Sequence, residues 1–235
     1  MCGRYTSTTA ASVLAEVFTV DEIKTDELPV RFNVAPSQPV YAIAARRSRH
    51  EGEIAPRQLG TFRWGLVPSW AGDPSVGNRM INARAETVAT KRAYRAALAR
   101  RRCIIPADAF YEWQVVEAGG HRTKVPHAIR RRDGRPLAFA GLWEVWHPPD
   151  GQQPVLRSCV IITSPANGLL APVHDRMPVE LPPAAWDGWL DPANDDVAAL
   201  QRLLVPAPSE DFVMWPVTTL VNRADNEGPE LLEPR

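Results

Sequence analysis

Proline most constrains the fold of this chain, because 23 prolines are spread through its 235 residues. This is about twice the usual share, and each proline removes a backbone donor and interrupts helical hydrogen bonding. The sequence is thereby cut into short elements, which favours strands and loops over long helices. Helical periodicity is clear only in residues 9–18, 88–101 and 195–204.

Strand-like segments outnumber the helical ones. They cover residues 40–45, 58–66, 103–105, 110–114, 127–130, 137–143 and 155–163. Turn-rich segments at 132–135 and 148–151 predict hairpin connections. Because strands and helices do not alternate regularly, a doubly wound parallel sheet is not expected. We predict an α+β fold: a single domain over residues 1–235, built on a curved, mainly antiparallel, barrel-like β-sheet with a few short flanking helices.

Composition excludes several classes of protein. Hydrophobic residues make up 45% and charged residues 23% of the chain, which indicates a globular domain. No apolar run reaches membrane-spanning length and no signal peptide begins the chain, so we expect a soluble cytoplasmic protein, associated with the nucleoid in a bacterium. The cysteines Cys2, Cys103 and Cys159 are far apart and predict neither disulfides nor a zinc site. Glycine-rich nucleotide motifs are also absent, so no cofactor or metal is expected.

Charge is distributed unevenly along a chain whose formal net charge is zero. Residues 1–140 carry 22 Lys and Arg against 13 Asp and Glu, whereas residues 141–235 carry 5 against 14. A basic surface for nucleic acid is therefore permitted. It is not established, because folding can interleave the two segments.

Cys2 follows the initiator methionine, and removal of Met1 would leave an amine and a thiol on one residue. The reference pKa values of these groups, about 7.7–8.0 and about 8.5, give each a useful nucleophilic fraction near neutral pH. With an aldehyde, the amine can form a Schiff base and the sulfur can close a thiazolidine ring. Abasic DNA offers such an aldehyde. A cysteine at position 2 is nevertheless a weak signal by itself.

Six motifs give Cys2 its context. They are MCGRY at 1–5, RFNVAP at 31–36, WGLVP at 64–68, NARAET at 82–87, FYEW at 110–113 and HDRMP at 174–178. In this order they closely resemble the SOS-response-associated peptidase family of abasic-site processing proteins, over nearly the whole chain. The resemblance implies autocatalytic removal of Met1 and a thiazolidine crosslink between Cys2 and an abasic deoxyribose. It implies as partner single-stranded DNA, or a single-strand to duplex junction, in a basic groove; we expect the protein to act as a monomer.

Three further catalytic residues follow from the matched motifs. Asn82 corresponds to the family's active-site asparagine, whose carboxamide can hold the Cys2 amine or the opened sugar. Glu112 lies in an apolar strand-like run, where a carboxylate is either buried for proton transfer or turned outward on an alternating strand. His174, with an unperturbed pKa of about 6.5, suits an acid that helps to open the sugar. Taken singly, Asn82 could instead be a turn residue and His174 a structural histidine.

Contacts with DNA are expected from arginines and tryptophans near these motifs. The arginines that could hold phosphates flanking the lesion are Arg4, Arg84 and Arg176. The tryptophans that could stack on bases are Trp64, Trp70 and Trp113. For Trp64 and Trp113 a place in the hydrophobic core is equally compatible with the sequence.

Three other functions remain open from the sequence. A thiol peptidase would use Cys2 as nucleophile and His174 as base, and would turn over peptides. A non-catalytic DNA reader would retain its function after Cys2→Ala. An abasic-site lyase would cut the strand by β-elimination from the imine, a step with which capture by the Cys2 sulfur competes.

Overall fold

The α-helices of this protein are short. The computed structural model describes residues 2–45, 56–118, 120–149, 151 and 154–235. The α-helices in these ranges are α1 (Ala11–Val17), α2 (Arg95–Arg100), α3 (Trp186–Leu190) and α4 (Val197–Arg202). Short 3₁₀ helices cover Pro74–Arg79, Pro183–Ala185, Ser209–Asp211, Thr219–Asn222 and Pro229–Leu232.

The predicted helices at 9–18 and 195–204 are confirmed as α1 and α4. The helix predicted at 88–101 is correct only in its C-terminal part, α2, because the chain before Arg95 forms successive turns. Helix α3 was not predicted; it follows two consecutive prolines and has only five residues. Such a length is too short for helical periodicity to show.

Strands make up most of the regular structure. They are β1 (Arg4–Ser7), β2 (Glu22–Ile23), β3 (Arg31–Val34), β4 (Pro39–Ala45), β5 (Arg57–Trp64), β6 (Asn82–Arg84), β7 (Arg102–Ala107), β8 (Ala109–Ala118), β9 (His121–Arg131), β10 (Leu137–Trp146), β11 (Leu156–Pro165), β12 (Arg176–Pro178) and β13 (Phe212–Pro216). Each segment predicted as a strand contains one, and most of these strands extend beyond the predicted bounds, although Gly65, Leu66 and Val155 lie outside β5 and β11. The strands β1, β2, β3, β6, β12 and β13 were not predicted.

A closed barrel forms the centre of the fold. Its strands pair in the order β11-β10-β7-β4-β5, and β5 returns to pair with β11. Every pairing around this ring is antiparallel except β5 with β11, which is parallel. The predicted α+β fold with a mainly antiparallel, barrel-like sheet is therefore confirmed.

A second sheet, in the order β13-β9-β8-β1-β3, lies beside the barrel. The turn at 132–135 joins β9 of this sheet to β10 of the barrel, so the hairpin predicted there is wrong: the turn moves the chain between sheets. The hairpin predicted around 148–151 is confirmed, since β10 and β11 pair antiparallel; Asp150 lies outside the described residues. The long β8–β9 hairpin was not predicted.

The barrel strands are buried on both faces, which explains their nearly continuous apolar runs. In β10, Ala138, Ala140 and Leu142 belong to a core cluster that includes residues of all four α-helices. Leu137 and Phe139 belong to a second cluster, shared with the second sheet. Alternation along the strand produces this division. No helix in the described part of the chain is long and apolar enough to cross a membrane.

Candidate active site

Cys2 lies where the pairing between β1 and β8 ends. β1 pairs with β8 only across Ala109–Tyr111, so the β1-facing edge of β8 is not paired by this strand from Glu112 onward. Cys2 lies two residues before the start of β1 and is fully buried, with its thiol 3.9 Å from the carbonyl oxygen of Arg4. Burial, reinforced by the negative field of Glu112, raises the pKa of the Cys2 thiol well above its usual range. The sulfur is therefore held as a neutral thiol.

Asn82 approaches Cys2 from the barrel. It begins β6, which pairs in parallel with β11 at Ile161. Its Nδ2 donates a hydrogen bond of 2.7 Å to the carbonyl oxygen of Cys2, while its buried Oδ1 accepts none from the described residues. The carboxamide thus fixes the Cys2 backbone and keeps one acceptor available for a new donor.

Glu112 is a buried carboxyl group on β8, opposite His127 of β9. Its exposed fraction is 2%. Burial raises the pKa of Glu112 to about 7, with a smaller contribution from the charge of Asp175. Near neutral pH this group is present both as acid and as carboxylate, which suits transfer of a proton in either direction.

His174 belongs to a loop attached to the same part of β8. Gln114 Nε2 donates a 3.2 Å hydrogen bond to the carbonyl oxygen of Pro172 in this loop. Nδ1 of His174 lies 2.9 Å from the backbone nitrogen of Arg176 and 2.9 Å from Oδ1 of Asp175. One ring nitrogen cannot both accept a hydrogen bond from the Arg176 backbone N–H and donate one to the Asp175 carboxylate. Burial lowers the pKa of His174, so we assign a neutral ring in which Nδ1 accepts and Nε2 carries the proton.

Of the predicted phosphate-binding arginines, Arg84 is exposed and forms no ion pair with the described residues. Arg176 is only 9% exposed, and its guanidinium binds both carboxylate oxygens of Glu86 and the carbonyl oxygen of Thr163. Because its Nη1 and Nη2 donors already bind protein groups, we do not assign Arg176 to the DNA-binding surface. Arg4 Nη1 donates to the side-chain oxygen of Asn33 at 2.9 Å, so it is also engaged.

The predicted stacking tryptophans occupy different environments. Trp64 is fully buried, its ring centroid is 5.2 Å from that of Tyr5, and its Nε1 donates to the carbonyl oxygen of Ile81. Its assignment to base stacking is corrected to the core. Trp70 is 54% exposed, with the guanidinium of Arg92 4.7 Å from its ring centroid. Trp113 is half-buried beside Glu112.

The role of Asn33 and of the segment that follows β13 was not predicted from the sequence. Asn33 is fully buried, and its side chain bonds to backbone carbonyls of Val221, Arg223 and Asn226. An asparagine between Phe32 and Val34 in a strand was the available signal, because a buried amide needs partners. Nothing in the sequence marked the partner segment.

Cys2, Asn82, Glu112 and His174 together provide a thiol, a fixed amide and two proton-transfer groups around the start of β1. Hydrogen bonding joins Asn82 to Cys2, and electrostatic interactions join Glu112 to Cys2. No cluster of three or more His, Cys, Asp or Glu side chains suited to a metal ion occurs within the described ranges. The arrangement is suited to nucleophilic chemistry assisted by acid and base groups.

Comparison with known proteins gives the same family from sequence alone. Residues 1–224 match the family described as SOS response associated peptidase. The abasic site processing protein YoqW of Bacillus subtilis is 42% identical over 234 residues, covering 99% of each chain. The abasic site processing protein HMCES of Gallus gallus is 33% identical over 227 residues, covering 86% of this chain and 66% of its own.

Solved structures resemble the fold over all or most of its length. A protein from Bacteroides thetaiotaomicron superposes with a TM-score of 0.82 at 21% identity and covers 100% of both chains. A protein from Bordetella bronchiseptica superposes with a TM-score of 0.74 at 27% identity, covering 92% of this chain and 100% of its own.

Proposed function

Because this chain belongs to the SOS response associated peptidase family, we propose that it processes abasic sites in DNA, as the names of its relatives state for them. It binds single-stranded DNA, or a single-strand to duplex junction, and captures the abasic aldehyde covalently at Cys2. One observation carries this proposal most strongly: Asn82 holds the Cys2 backbone while Glu112, with a pKa near 7, interacts electrostatically with the Cys2 thiol.

The first step is removal of Met1 by the protein itself. Hydrolysis of the Met1–Cys2 peptide bond consumes one water molecule, releases methionine and creates the α-amine of Cys2. That amine becomes a new hydrogen-bond donor next to the carbonyl oxygen that Asn82 already holds. The buried Oδ1 of Asn82 is a suitable acceptor for it.

Capture then proceeds through two bonds to the same carbon. The amine adds to the C1′ aldehyde of the ring-opened sugar, and loss of water gives an imine. The Cys2 sulfur adds to C1′ of the protonated imine and its thiol proton leaves to a nearby base, which closes the thiazolidine. One aldehyde and one aminothiol thus give one ring and one water, with no redox change.

Proton transfer during these steps requires groups that can give and accept protons near neutral pH. Glu112 in its acid form protonates the departing hydroxyl, and its carboxylate then accepts the thiol proton. Since burial keeps the pKa of the Cys2 thiol high, such a base is needed. The Nε2–H of neutral His174 donates to the sugar oxygen as the ring opens.

DNA contacts are assigned to the exposed candidates. Arg84, two residues after Asn82, provides a guanidinium for a phosphate beside the lesion. Trp70 provides an exposed aromatic surface on which a base can stack. Trp113, half-buried beside Glu112, is a second stacking surface.

The thiazolidine protects the strand, because sulfur capture removes the imine from which β-elimination would cut the DNA.

A gel experiment with an oligonucleotide that contains one abasic site tests this proposal. The wild-type protein should give a slowly migrating adduct and an intact strand. Turnover of peptides with no adduct to abasic DNA would favour the peptidase function instead. Strand cutting without an adduct would favour the lyase.

A further inference from the structure

The C-terminal segment, residues 218–227, is fastened to β3 by a buried amide. Nδ2 of Asn33 lies 3.3 Å from the carbonyl oxygen of Val221, 2.8 Å from that of Arg223 and 3.0 Å from that of Asn226. Because Asn33 is fully buried, losing these acceptors would leave an unpaired amide in the interior. The segment is therefore strongly held in this position.

Two more contacts fix the same segment. Arg4 Nη1 donates both to Asn33 Oδ1 and to the carbonyl oxygen of Val221, each at 2.9 Å. At the far end, the backbone nitrogen of Phe32 donates a 2.7 Å hydrogen bond to the Glu227 carboxylate. The C-terminal segment is thus attached at several points to two strands. These are β1, which begins shortly after Cys2, and β3, which pairs with β1.

This attachment places one exposed side chain against Trp113. Oδ1 of Asn222 accepts a hydrogen bond of 2.7 Å from Trp113 Nε1. Trp113 also packs against the buried cluster that contains Tyr111 and Val221, so its side chain is partly covered while the hydrogen bond to Asn222 fixes its indole N–H. Trp113 follows Glu112 in β8, so its half-buried ring leaves the opposite face of the strand, at the edge that β1 does not pair. A DNA strand that crosses this edge can contact both side chains.

We propose that Asn222 is a positioning residue that holds the Trp113 indole in place to stack on a DNA base beside the abasic site, while Asn33 and Arg4 hold Asn222. This inference rests on the proposed function. A base next to an abasic nucleotide lacks one stacking neighbour, and an aromatic ring can replace it whatever the base. A ring fixed before binding loses less conformational entropy when DNA arrives.

The indole N–H signals of ¹⁵N-labelled protein test the contact directly. Trp113→Phe identifies the Trp113 signal by its loss. In Asn222→Ala this signal should shift and exchange faster with water, while the other indole signals stay in place. Asn222→Asp, which retains an acceptor oxygen, should restore the signal. An unchanged Trp113 signal in Asn222→Ala would overturn the proposal.

Binding to undamaged single-stranded DNA, followed by fluorescence anisotropy, tests the consequence. Loss of one hydrogen bond predicts a half-saturating concentration about fivefold higher in Asn222→Ala. Trp113→Phe combined with Asn222→Ala should be no weaker than Trp113→Phe alone. Gln201→Ala removes an exposed amide on α4 and is the matched control.

Equal binding by Asn222→Ala and the wild type would contradict the inference, as would fully additive effects in the double variant. The rate of adduct formation at saturating abasic DNA should be the same in Asn222→Ala as in the wild type, since Asn222 acts on binding through Trp113. Failure of the proposed function would show itself separately, as absence of an adduct from the wild-type protein.

Discussion

Replacement of Glu112 by Gln removes the proton-transfer group but keeps the shape of the side chain. Burial raises the pKa of Glu112 from its ordinary 4.5 to about 7. At pH 7 about half of the carboxyl groups are then protonated, whereas an ordinary glutamate would be about 0.3% protonated. Burial therefore increases the population of the acid form by more than about 100-fold, and in the proposed mechanism this acid form protonates the departing hydroxyl.

The initial rate of adduct formation on an abasic oligonucleotide, measured from pH 5 to 9, tests this reasoning. The wild type should show a rising limb from deprotonation of the Cys2 amine and a falling limb above about pH 7 from ionisation of Glu112. In Glu112→Gln the falling limb should vanish, and the rate at pH 7 should drop by about 100-fold. A falling limb that persists in Glu112→Gln would refute the assignment.

Stability measured against pH reports the same ionisation without DNA. The pKa of Glu112 is higher in the folded state than in the unfolded state. Its contribution to stability is therefore fully present below about pH 4.5 and is lost as the pH rises through about 7. The shift corresponds to about 3 kcal/mol in the free energy of unfolding. Glu112→Gln should lack this loss in urea unfolding at pH 8, while a neutral-to-basic profile identical to the wild type would contradict the shifted pKa.

Further predictions concern Cys2, Arg84, Trp64 and Arg176. Cys2→Ala should lose the heat-stable adduct and gain strand cutting through its free amine, both measured on a denaturing gel. Intact strands and undiminished crosslinks in this variant would contradict the mechanism. Arg84→Ala should lower the slope of log affinity against log salt by about 1 for single-stranded DNA, and an unchanged slope would remove Arg84 from the phosphate contacts. Trp64→Ala should lower the free energy of unfolding by about 3–5 kcal/mol, because the ring is fully buried. Arg176→Ala should lower it by about 2 kcal/mol, less than for a fully buried pair because Glu86 is half exposed; a weaker salt slope with unchanged stability would restore Arg176 to the DNA-binding surface.

The longer apolar strands were predictable because their physical causes are local. Apolar runs such as 137–143 are buried on both faces of the barrel, and turn residues bound them. The order of strands was not predictable, because closure of the barrel depends on the parallel contact between β5 and β11, which are far apart in sequence. For the same reason the turn at Gly134 could not be distinguished from a hairpin.

Prediction of the site had a similar limit. Motif resemblance selected Asn82, and the structure places its Nδ2 on the Cys2 carbonyl oxygen. The same resemblance did not distinguish exposed from buried cations and rings, so Arg176 and Trp64 were assigned to DNA although both are buried. Asn222 carried no signal, since its role depends on the distant Asn33 and Arg4.

The central claim is that Cys2 becomes the chain terminus and then binds the abasic sugar through its nitrogen and sulfur. Intact-protein mass spectrometry before and after incubation with abasic single-stranded DNA measures both events. The first mass should lack Met1, and the second should be increased by the mass of the oligonucleotide less one water, with the attachment mapped to Cys2. A protein that retains Met1, or an adduct mapped to another residue, would contradict it.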